Sequence, residues 1–401
     1  MEQQQPQQPQ PSVTPIPSDA IDTTFARTTN LASAALNARV LACSNDYFAA
    51  ASNLLTPTPP VHRPGVFVHT GAWYDGWETR RHNPDPYDWV VIRLGVAGGG
   101  AIRGVEVDTA YFVGNYGERA ALQAAYVPPR SGSGSSGEET TVITEEEAPL
   151  LRPDYPGWKT ILPPQPCGPS QRRAWRLDDD YDPANPTPYT HVRLLMYPDG
   201  GFARLRLYGH AIPPPLPARA AEDPSAQPIE ELSSALLGGL AVAASDQHYT
   251  PCANLLLPGR GKDMGDGWET ARSRTPGHVD WAIVRLGLPG SVCRVVVDTK
   301  DFRGNFPRAV RVHGLVAPEG WVPSSGVASG EAEDPTHDHP GWTELVRGEQ
   351  PCRADTEHVF EGKDLVAGGE DTRVFTHVKL TLVPDGGVKR FRIFGRRAVV
   401  A

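Results

Sequence analysis

The sequence predicts an all-β protein made of two tandem β-sandwich repeats of jelly-roll type. The first observation behind this prediction is a long internal repeat, in which Asp75–Thr79 (Asp-Gly-Trp-Glu-Thr) returns unchanged as Asp266–Thr270. The second is a series of short β-branched or alternating runs bounded by Gly and Pro, which is typical of strands and turns. The third is the scarcity of helical stretches, which favours an antiparallel sandwich over a mixed fold.

The repeat covers nearly the whole chain, and its matching segments occur in the same order in both copies. These segments are Asn53–Leu55 and Asn254–Leu256, Asp88–Trp89 and Asp280–Trp281, Val107–Thr109 and Val297–Thr299, Gly114–Asn115 and Gly304–Asn305, Thr190–Val192 and Thr376–Val378, and Pro198–Gly201 and Pro384–Gly387. Such a period is far too long for a solenoid and indicates a duplicated domain. We therefore predict a first repeat over residues 19–212, a Pro/Ala-rich linker over 213–228 and a second repeat over 229–401.

Three segments have compositions that do not favour a packed core. Residues 1–18 are rich in Gln and Pro, and we predict that they are disordered. Residues 130–147 combine a Ser/Gly run with an acidic stretch, and a similar segment occupies residues 323–338 of the second copy. We interpret these two as flexible loops at the same place in the fold.

Turn chemistry and periodicity predict the local elements. Strands are expected at His191–Tyr197 and Ala203–Tyr208, joined as a hairpin by the Pro-Asp-Gly-Gly turn Pro198–Gly201. Pro presets the first dihedral angle of such a turn, and Gly supplies a positive φ. Helices are expected only at Ala32–Arg39 and Glu230–Leu237.

Composition excludes several classes of partner. The formal net charge of −9 argues against a nucleic-acid or anionic-membrane partner. The longest apolar run, Ala235–Ala244, is too short to span a bilayer.

Five cysteines without a CxxC pair favour a reducing, cytoplasmic compartment. The sequence has no P-loop, GxSxG, HExxH or dinucleotide-binding motif, so it indicates neither a covalent nucleophile nor a cofactor.

Polar and aromatic residues kept in both copies are the candidate site residues. In the first copy they are Trp77, Glu78, Arg81, Asp108, Asn115 and His191; in the second copy they are Trp268, Glu269, Arg272, Asp298, Asn305 and His377. Arg80 joins the first set, although the second copy has Ala271 in its place.

Each candidate has a structural alternative. The Trp-Glu-Thr block also suits an edge strand with its Trp packed inward and an ion pair outside. Asp108 stands at the end of an apolar strand, where an Asx-type turn cap is an equal alternative. His191 precedes a core strand, where a structural, hydrogen-bonded histidine is common. The segment His337–His339 has metal-ligand residue types, but its second His is not retained in the first copy, and we interpret it as a loop.

Together these blocks resemble the allantoicase (allantoate amidinohydrolase) family. The resemblance is carried by Asp75–Arg81, Asp88–Trp89, Arg93–Gly95, Val107–Thr109 and Phe112–Tyr116, and it extends over roughly residues 20–397. It implies galactose-binding-like jelly-roll repeats and homo-oligomeric assembly. It also implies a hydrolase that converts allantoate to ureidoglycolate and urea in purine (allantoin) catabolism.

The candidate residues suit that reaction. Breaking the bond from carbon to urea nitrogen requires a general acid, and adding water to the resulting centre requires a base. We assign proton transfer to Glu78 or His191, and the substrate carboxylate to Arg80 or Arg81. Asp108 and Asn115 would hold a ureido group.

The full predicted set comprises the catalytic residues Glu78, His191 and Asp108 and the substrate-binding residues Trp77, Arg80, Arg81 and Asn115, with no metal ligand. We favour the first copy because it alone keeps Arg80. Two alternatives stay open: a non-catalytic jelly-roll protein that binds a carbohydrate or another small molecule, and an enzyme in which one repeat is only a scaffold.

Overall fold

The computed structural model describes residues 11–96, 98–128, 142–178, 186–217, 227–318, 334–368 and 372–399. The chain divides into two compact units, Met1–His210 and Ala211–Ala401. This division lies just ahead of the predicted linker, of which residues 218–226 fall outside the described ranges.

The first repeat consists of two five-stranded sheets and two small strand pairs. Its strands are β1 (Val13–Ile16), β2 (Thr29–Asn30), β3 (Arg39–Cys43), β4 (Phe67–Val68), β5 (Gly71–Ala72), β6 (Trp77–Glu78), β7 (Asp88–Arg93), β8 (Gly100–Asp108), β9 (Arg119–Ala125), β10 (Lys159–Pro166), β11 (Arg172–Leu177), β12 (His191–Tyr197), β13 (Gly201–Phe202) and β14 (Arg204–Ala211). One sheet has the order β1-β11-β8-β14-β2 and the other β10-β9-β12-β7-β3, while β13 pairs with β6 and β4 with β5.

Apolar side chains from both sheets fill the core of the first repeat. Fully buried examples from β7, β8, β9, β12 and β14 are Val90, Ile92, Val105, Leu122, Val192, Leu194, Leu205 and Leu207. Their removal from water is the main favourable contribution to folding.

The second repeat has the same layout with one strand fusion. Its strands are β15 (Glu230–Glu231), β16 (Leu240–Ala244), β17 (Trp268–Glu269), β18 (Asp280–Asp298), β19 (Ala309–Val316), β20 (Trp342–Glu344), β21 (Gln350–Pro351), β22 (Glu357–Glu361), β23 (Phe375–Val383), β24 (Gly387–Val388) and β25 (Arg390–Arg397). The long strand β18 corresponds to β7 and β8 joined end to end. Its first half pairs with β16 and β23, and its second half with β22 and β25. The predicted all-β fold of two tandem β-sandwich repeats is confirmed.

The predicted Pro-Asp-Gly-Gly hairpin is wrong. Strand β12 pairs with β7 and β9, whereas β14 lies in the other sheet, between β8 and β2. The turn at Pro198–Gly201 therefore carries the chain from one sheet to the other, and we call this region the corner of the first repeat. Gly200 has a φ of 135°, a conformation that residues with a Cβ rarely adopt.

The two predicted helices are also wrong. The structure has single 3-10 turns at Ala34–Leu36 and Ala235–Leu237, and Glu230–Glu231 belongs to β15. Asn37 and Gly238 follow these turns with φ of 65° and 93°, and this left-handed geometry ends each turn. The other helical elements of the described residues are α1 (Ile21–Thr24) and 3-10 turns at Ala51–Leu55, Ala148–Leu151, Cys252–Leu256, Met264–Asp266 and Gly362–Asp364.

Two segments predicted to be disordered or flexible contain ordered parts. Val13–Ile16 form β1, which pairs antiparallel with β11 and covers its open edge, so the predicted tail is wrong over these residues. Glu147, at the end of the predicted flexible insertion, is buried. Residues 1–10 and 129–141 lie outside the described ranges, as do residues 319–333 of the corresponding loop in the second repeat.

Candidate functional site

Trp77 anchors the corner of the first repeat from inside. The two-residue strand β6 pairs with β13, which directly follows the Pro-Asp-Gly-Gly turn. The Trp77 side chain has no exposed surface, and its Nε1 donates a hydrogen bond to the carbonyl of Asn45 at 2.8 Å. Trp268 repeats this arrangement with Asp246 at 2.9 Å. The fully buried indole matches the structural alternative, a Trp packed inward, and the substrate-binding role of Trp77 stays a prediction.

Glu78 is the buried acid of this corner. Its residue is 6% exposed, and its Oε1 accepts a hydrogen bond from Asn115 Nδ2 at 2.8 Å. Burial raises the pKa of Glu78, while the hydrogen bond from Asn115 and the charge of Arg81 act in the opposite direction. The result is a carboxyl group that keeps its proton to a higher pH than an exposed glutamate would.

Asp108 supplies a second buried carboxyl group at the corner. It ends β8, and its backbone carbonyl accepts a hydrogen bond from Ala203 N at 2.7 Å. Among the described residues, the Asp108 carboxylate accepts one hydrogen bond, from Ala110 N at 2.8 Å. This bond closes an Asx turn, which is the structural alternative that the sequence offered for Asp108. Burial raises the pKa of Asp108, and the nearby Glu106 raises it further. A carboxylate can accept several bonds, so this turn leaves capacity for another donor.

Arg204 and Asp75 form a buried ion pair that sequence reasoning missed. Arg204 is 1% exposed, and its Nη2 lies 2.7 Å from Asp75 Oδ2. Its guanidinium also donates to the carbonyls of Thr58 and Asp75 at 3.1 and 3.0 Å. Although Arg204 alternates with Leu205 along β14, its guanidinium is therefore enclosed and does not face solvent. Both partners recur in the second copy, as Arg390 and Asp266, and this recurrence was the available signal.

The two exposed arginines after Glu78 point to different partners. Arg81 Nη1 lies 3.4 Å from Asp199 Oδ1, and its charge acts on Glu78. The Arg80 guanidinium lies 4.4 Å from the ring centroid of Tyr47, in a cation–π contact. Of the two, Arg81 is therefore the better candidate for the substrate carboxylate.

His191 lies at the other end of the sheet. It begins β12, whereas the corner follows Tyr197 at the end of the same strand. Six residue steps along a strand correspond to roughly 20 Å. Within this chain the structure does not bring His191 and Glu78 together, and the catalytic role of His191 stays a prediction.

His191 instead belongs to a hydrogen-bonded triad formed by Arg93, Glu147 and His191. Its Nε2 lies 3.0 Å from Glu147 Oε1, and its Nδ1 lies 2.9 Å from Thr190 Oγ1. Arg93 donates two hydrogen bonds to the Glu147 carboxylate, and Thr144 N donates a third at 2.8 Å. Burial opposes ionisation of Glu147, but the bonds from His191 and Arg93 outweigh it and hold its pKa well below the usual range. These contacts satisfy the hydrogen-bonding groups of Glu147 and His191, which is typical of residues with a structural role.

The second repeat has the same triad, which is formed by Arg285, Asp334 and His377. His377 Nε2 lies 3.2 Å from Asp334 Oδ1, and Arg285 Nη1 lies 3.8 Å from the same oxygen. Glu147 ends the first loop that was predicted to be flexible, and Asp334 lies within the second, which was predicted over residues 323–338. The sequence analysis assigned neither residue a role.

The segment His337–His339 forms a loop, as expected. The His337 ring stacks on Trp281 with centroids 4.8 Å apart, and Asp338 accepts a hydrogen bond from Thr336 at 2.7 Å. Across the described ranges, no group of three or more His, Cys, Asp or Glu side chains is arranged to hold a metal ion. None of the helices in these ranges has the length and apolar character needed to cross a membrane.

The fold and the duplicated corner define a tandem-repeat β-sandwich protein with a buried aspartate at each corner, Asp108 in the first repeat and Asp298 in the second. The family profile described as "Allantoicase repeat" matches residues 29–212 and 230–398. An allantoicase from Neurospora crassa is 48% identical over 391 residues, covering 96% of each chain. An allantoicase from Saccharomyces cerevisiae is 42% identical over 361 residues, covering 90% of this chain and 91% of that one. The crystal structure of the Saccharomyces cerevisiae allantoicase superposes with a TM-score of 0.71 at 35% identity, covering 96% of this chain and 100% of that one. The chain belongs to the allantoicase family, as the sequence motifs predicted.

Proposed function

We propose that the corner of the first repeat carries the allantoicase reaction, the hydrolysis of allantoate to ureidoglycolate and urea in purine catabolism. The observation that carries this proposal is the buried Glu78 carboxyl group, whose pKa burial raises and whose Oε1 is held by Asn115. Family membership supplies the substrate and the reaction. The geometry supplies an acid that can be protonated when the substrate binds.

In this mechanism Glu78 acts twice. It first donates its proton to the urea nitrogen, and the bond between that nitrogen and the central carbon breaks as urea leaves. The lone pair of the other ureido nitrogen forms a C=N double bond to the same carbon. Water then adds to this carbon, and the Glu78 carboxylate takes the proton from the water, which restores the acid. One carboxyl group therefore provides both the acid and the base that the reaction needs.

Three further residues take part in this proposal, two by binding the substrate and one by positioning Glu78. Arg81, which is exposed beside Glu78, binds the substrate carboxylate through its guanidinium. Asp108 faces the N–H groups of the ureido arm and stabilises the positive charge that develops on its nitrogen. Asn115 positions Glu78 through the bond at 2.8 Å.

We also propose a homo-oligomer in a reducing, cytoplasmic compartment. The family resemblance supports assembly, which size-exclusion chromatography with light scattering would measure. The five cysteines, which are all free thiols, support the compartment.

The proposed function is tested by incubating the purified full-length protein with allantoate and measuring urea and ureidoglycolate. We expect both products in equal amounts, and we expect allantoin to stay intact. The competing hypothesis, a non-catalytic small-molecule-binding protein, predicts binding of allantoate or a sugar without urea release above the uncatalysed rate.

A further inference from the structure

The second repeat covers its own corner carboxylate with an arginine. Asp298 occupies the position of Asp108, and Arg260 binds it through two parallel hydrogen bonds, Nε to Oδ2 at 2.7 Å and Nη2 to Oδ1 at 2.8 Å. Lys300 Nζ donates to the Gly261 carbonyl at 2.7 Å and holds the loop that carries this arginine. A planar group with two N–H donors therefore sits on the carboxylate.

A buried lysine occupies the adjacent space. Lys389 has no exposed surface, and its ammonium contacts the Asp266 carboxylate and lies 3.1 Å from Asp301 Oδ2. The neighbouring Asn305 Nδ2 lies 3.7 Å from Met264 Sδ, so a side chain also covers the partner of Glu269. In the second repeat, side chains of the protein itself therefore surround the region of Asp298 and of the Glu269–Asn305 pair.

The first repeat lacks these groups at the matching positions. Ala203 replaces Lys389, as the bonds from Ala203 N to Asp108 O and from Lys389 N to Asp298 O demonstrate. Tyr111 replaces Asp301, and Asp75 pairs with Arg204 instead of a lysine. In the described residues no side chain donates to Asp108.

We propose that the second repeat is a self-occupied copy of the site, in which the Arg260 guanidinium takes the place that a ureido group of the substrate takes in the first repeat. Guanidinium and ureido groups are both planar and can present two parallel N–H donors to a carboxylate. The ligand class is therefore a small ureido compound that carries a carboxylate. The Glu269–Asn305 pair persists at 2.5 Å, so removing the covering side chains would open a second binding site. This inference rests on the proposed function of the first repeat.

The test counts allantoate binding sites on the full-length chain by calorimetry. The background carries Glu78→Gln and Glu269→Gln, so that neither corner turns the substrate over. We expect one allantoate per chain in this background, and two per chain after Arg260→Ala and Lys389→Ala are added. Adding Asp298→Asn to the opened protein should return the count to one. A count that stays at one in the opened protein, while it is folded by melting temperature and circular dichroism, overturns the inference.

One further variant keeps the test decisive. Removal of Lys389 leaves Asp266 and Asp301 without their buried partner, so Arg260→Ala alone replaces the double variant if that one does not fold. Arg260→Ala alone removes a side chain that is 48% exposed, and it should keep the fold while uncovering Asp298. Urea release by the unaltered protein is measured separately. Its absence would refute the proposed function, whereas its presence with a single site in the opened protein would refute only the self-occupied second repeat.

Discussion

Asn115 donates its side-chain N–H to Glu78 Oε1 at 2.8 Å, and Asn305 repeats this bond to Glu269 Oε1 at 2.5 Å. In the first repeat the bond acts against burial, because an N–H donor stabilises the ionised carboxylate while desolvation favours the protonated one. Burial is the larger of the two effects, and the pKa of Glu78 is raised. Asn115 thus limits how far the pKa rises and also fixes the direction of the carboxyl group.

Replacing Asn115 should shift the pH dependence of turnover. Without the amide donor, the pKa of Glu78 rises further, so the acid stays protonated to a higher pH. In Asn115→Ala the alkaline limb of the kcat profile should therefore move to higher pH, with a lower maximum because Glu78 is less well held. The control is Asn305→Ala, which should leave the profile unchanged. If the alkaline limb does not move, the group that titrates in the kcat profile is not Glu78.

Glu78→Gln should lower kcat by about 100-fold or more, the scale of general acid–base catalysis. The amide has nearly the same shape, and it removes a carboxyl group whose ionisation is opposed by burial, so the melting temperature should not fall. Glu269→Gln is the matched control and should keep normal turnover. If Glu269→Gln is the inactive variant instead, the working site belongs to the second repeat.

Arg81→Ala should act mainly on KM. An interaction made equally in the bound substrate and in the transition state changes KM and leaves kcat nearly unchanged. A charge-assisted hydrogen bond contributes about 1.5–3 kcal/mol, so KM should rise about tenfold or more. Arg80→Ala, whose guanidinium lies over Tyr47, should have a smaller effect, and Arg272→Ala none. A rise in KM for Arg80→Ala alone would reverse the assignment of the two arginines.

Much of the fold could be predicted from the sequence because the chain contains its own comparison. The duplication gave the domain count, and short strands with Gly/Pro turns gave the all-β class. The partner of β14 was not predictable from local chemistry, since a Pro-Asp-Gly-Gly turn suits both a hairpin and a crossover between sheets. The long-range pairing of β14 with β8 and β2 distinguishes the two.

The candidate site was predicted in part for a related reason. Glu78, Asp108 and Asn115 all lie at the corner. They could be predicted because residue type and recurrence identify buried polar groups. Recurrence also selected Trp77, which is packed inside the corner, and His191, which begins β12 at the opposite end of the sheet. Glu147 was missed because it lies in a run of three glutamates, where nothing local distinguishes the buried one.

The buried triad should control stability and have little effect on chemistry. Removing one partner of a buried ion pair costs about 3–5 kcal/mol, and Glu147→Gln should fall at the lower end because the Arg93 side chain is 22% exposed. The melting temperature should drop by roughly 6–12 °C at 2–4 °C per kcal/mol. Asp154→Asn is the matched control, since the Arg152–Asp154 pair is 70% and 71% exposed and should contribute almost nothing. At a temperature where the protein is folded, kcat of Glu147→Gln should stay near normal, and a loss comparable to that of Glu78→Gln would return this end of the sheet to the catalytic site.

The same triad should make the first repeat sensitive to acid. The pKa of Glu147 is lower in the folded protein than its ordinary value of 4.5, so the folded state binds this proton more weakly than the unfolded chain does. The stability that Glu147 contributes is then fully present above about pH 4.5 and is lost as the pH falls through that value toward the folded pKa. Unfolding free energies measured by urea titration across this range should fall more steeply for the unaltered protein than for Glu147→Gln, which has no proton to gain. Equal slopes for the two proteins would mean that the carboxylate is not ionised in the folded state, which contradicts its bonds to Arg93 and His191.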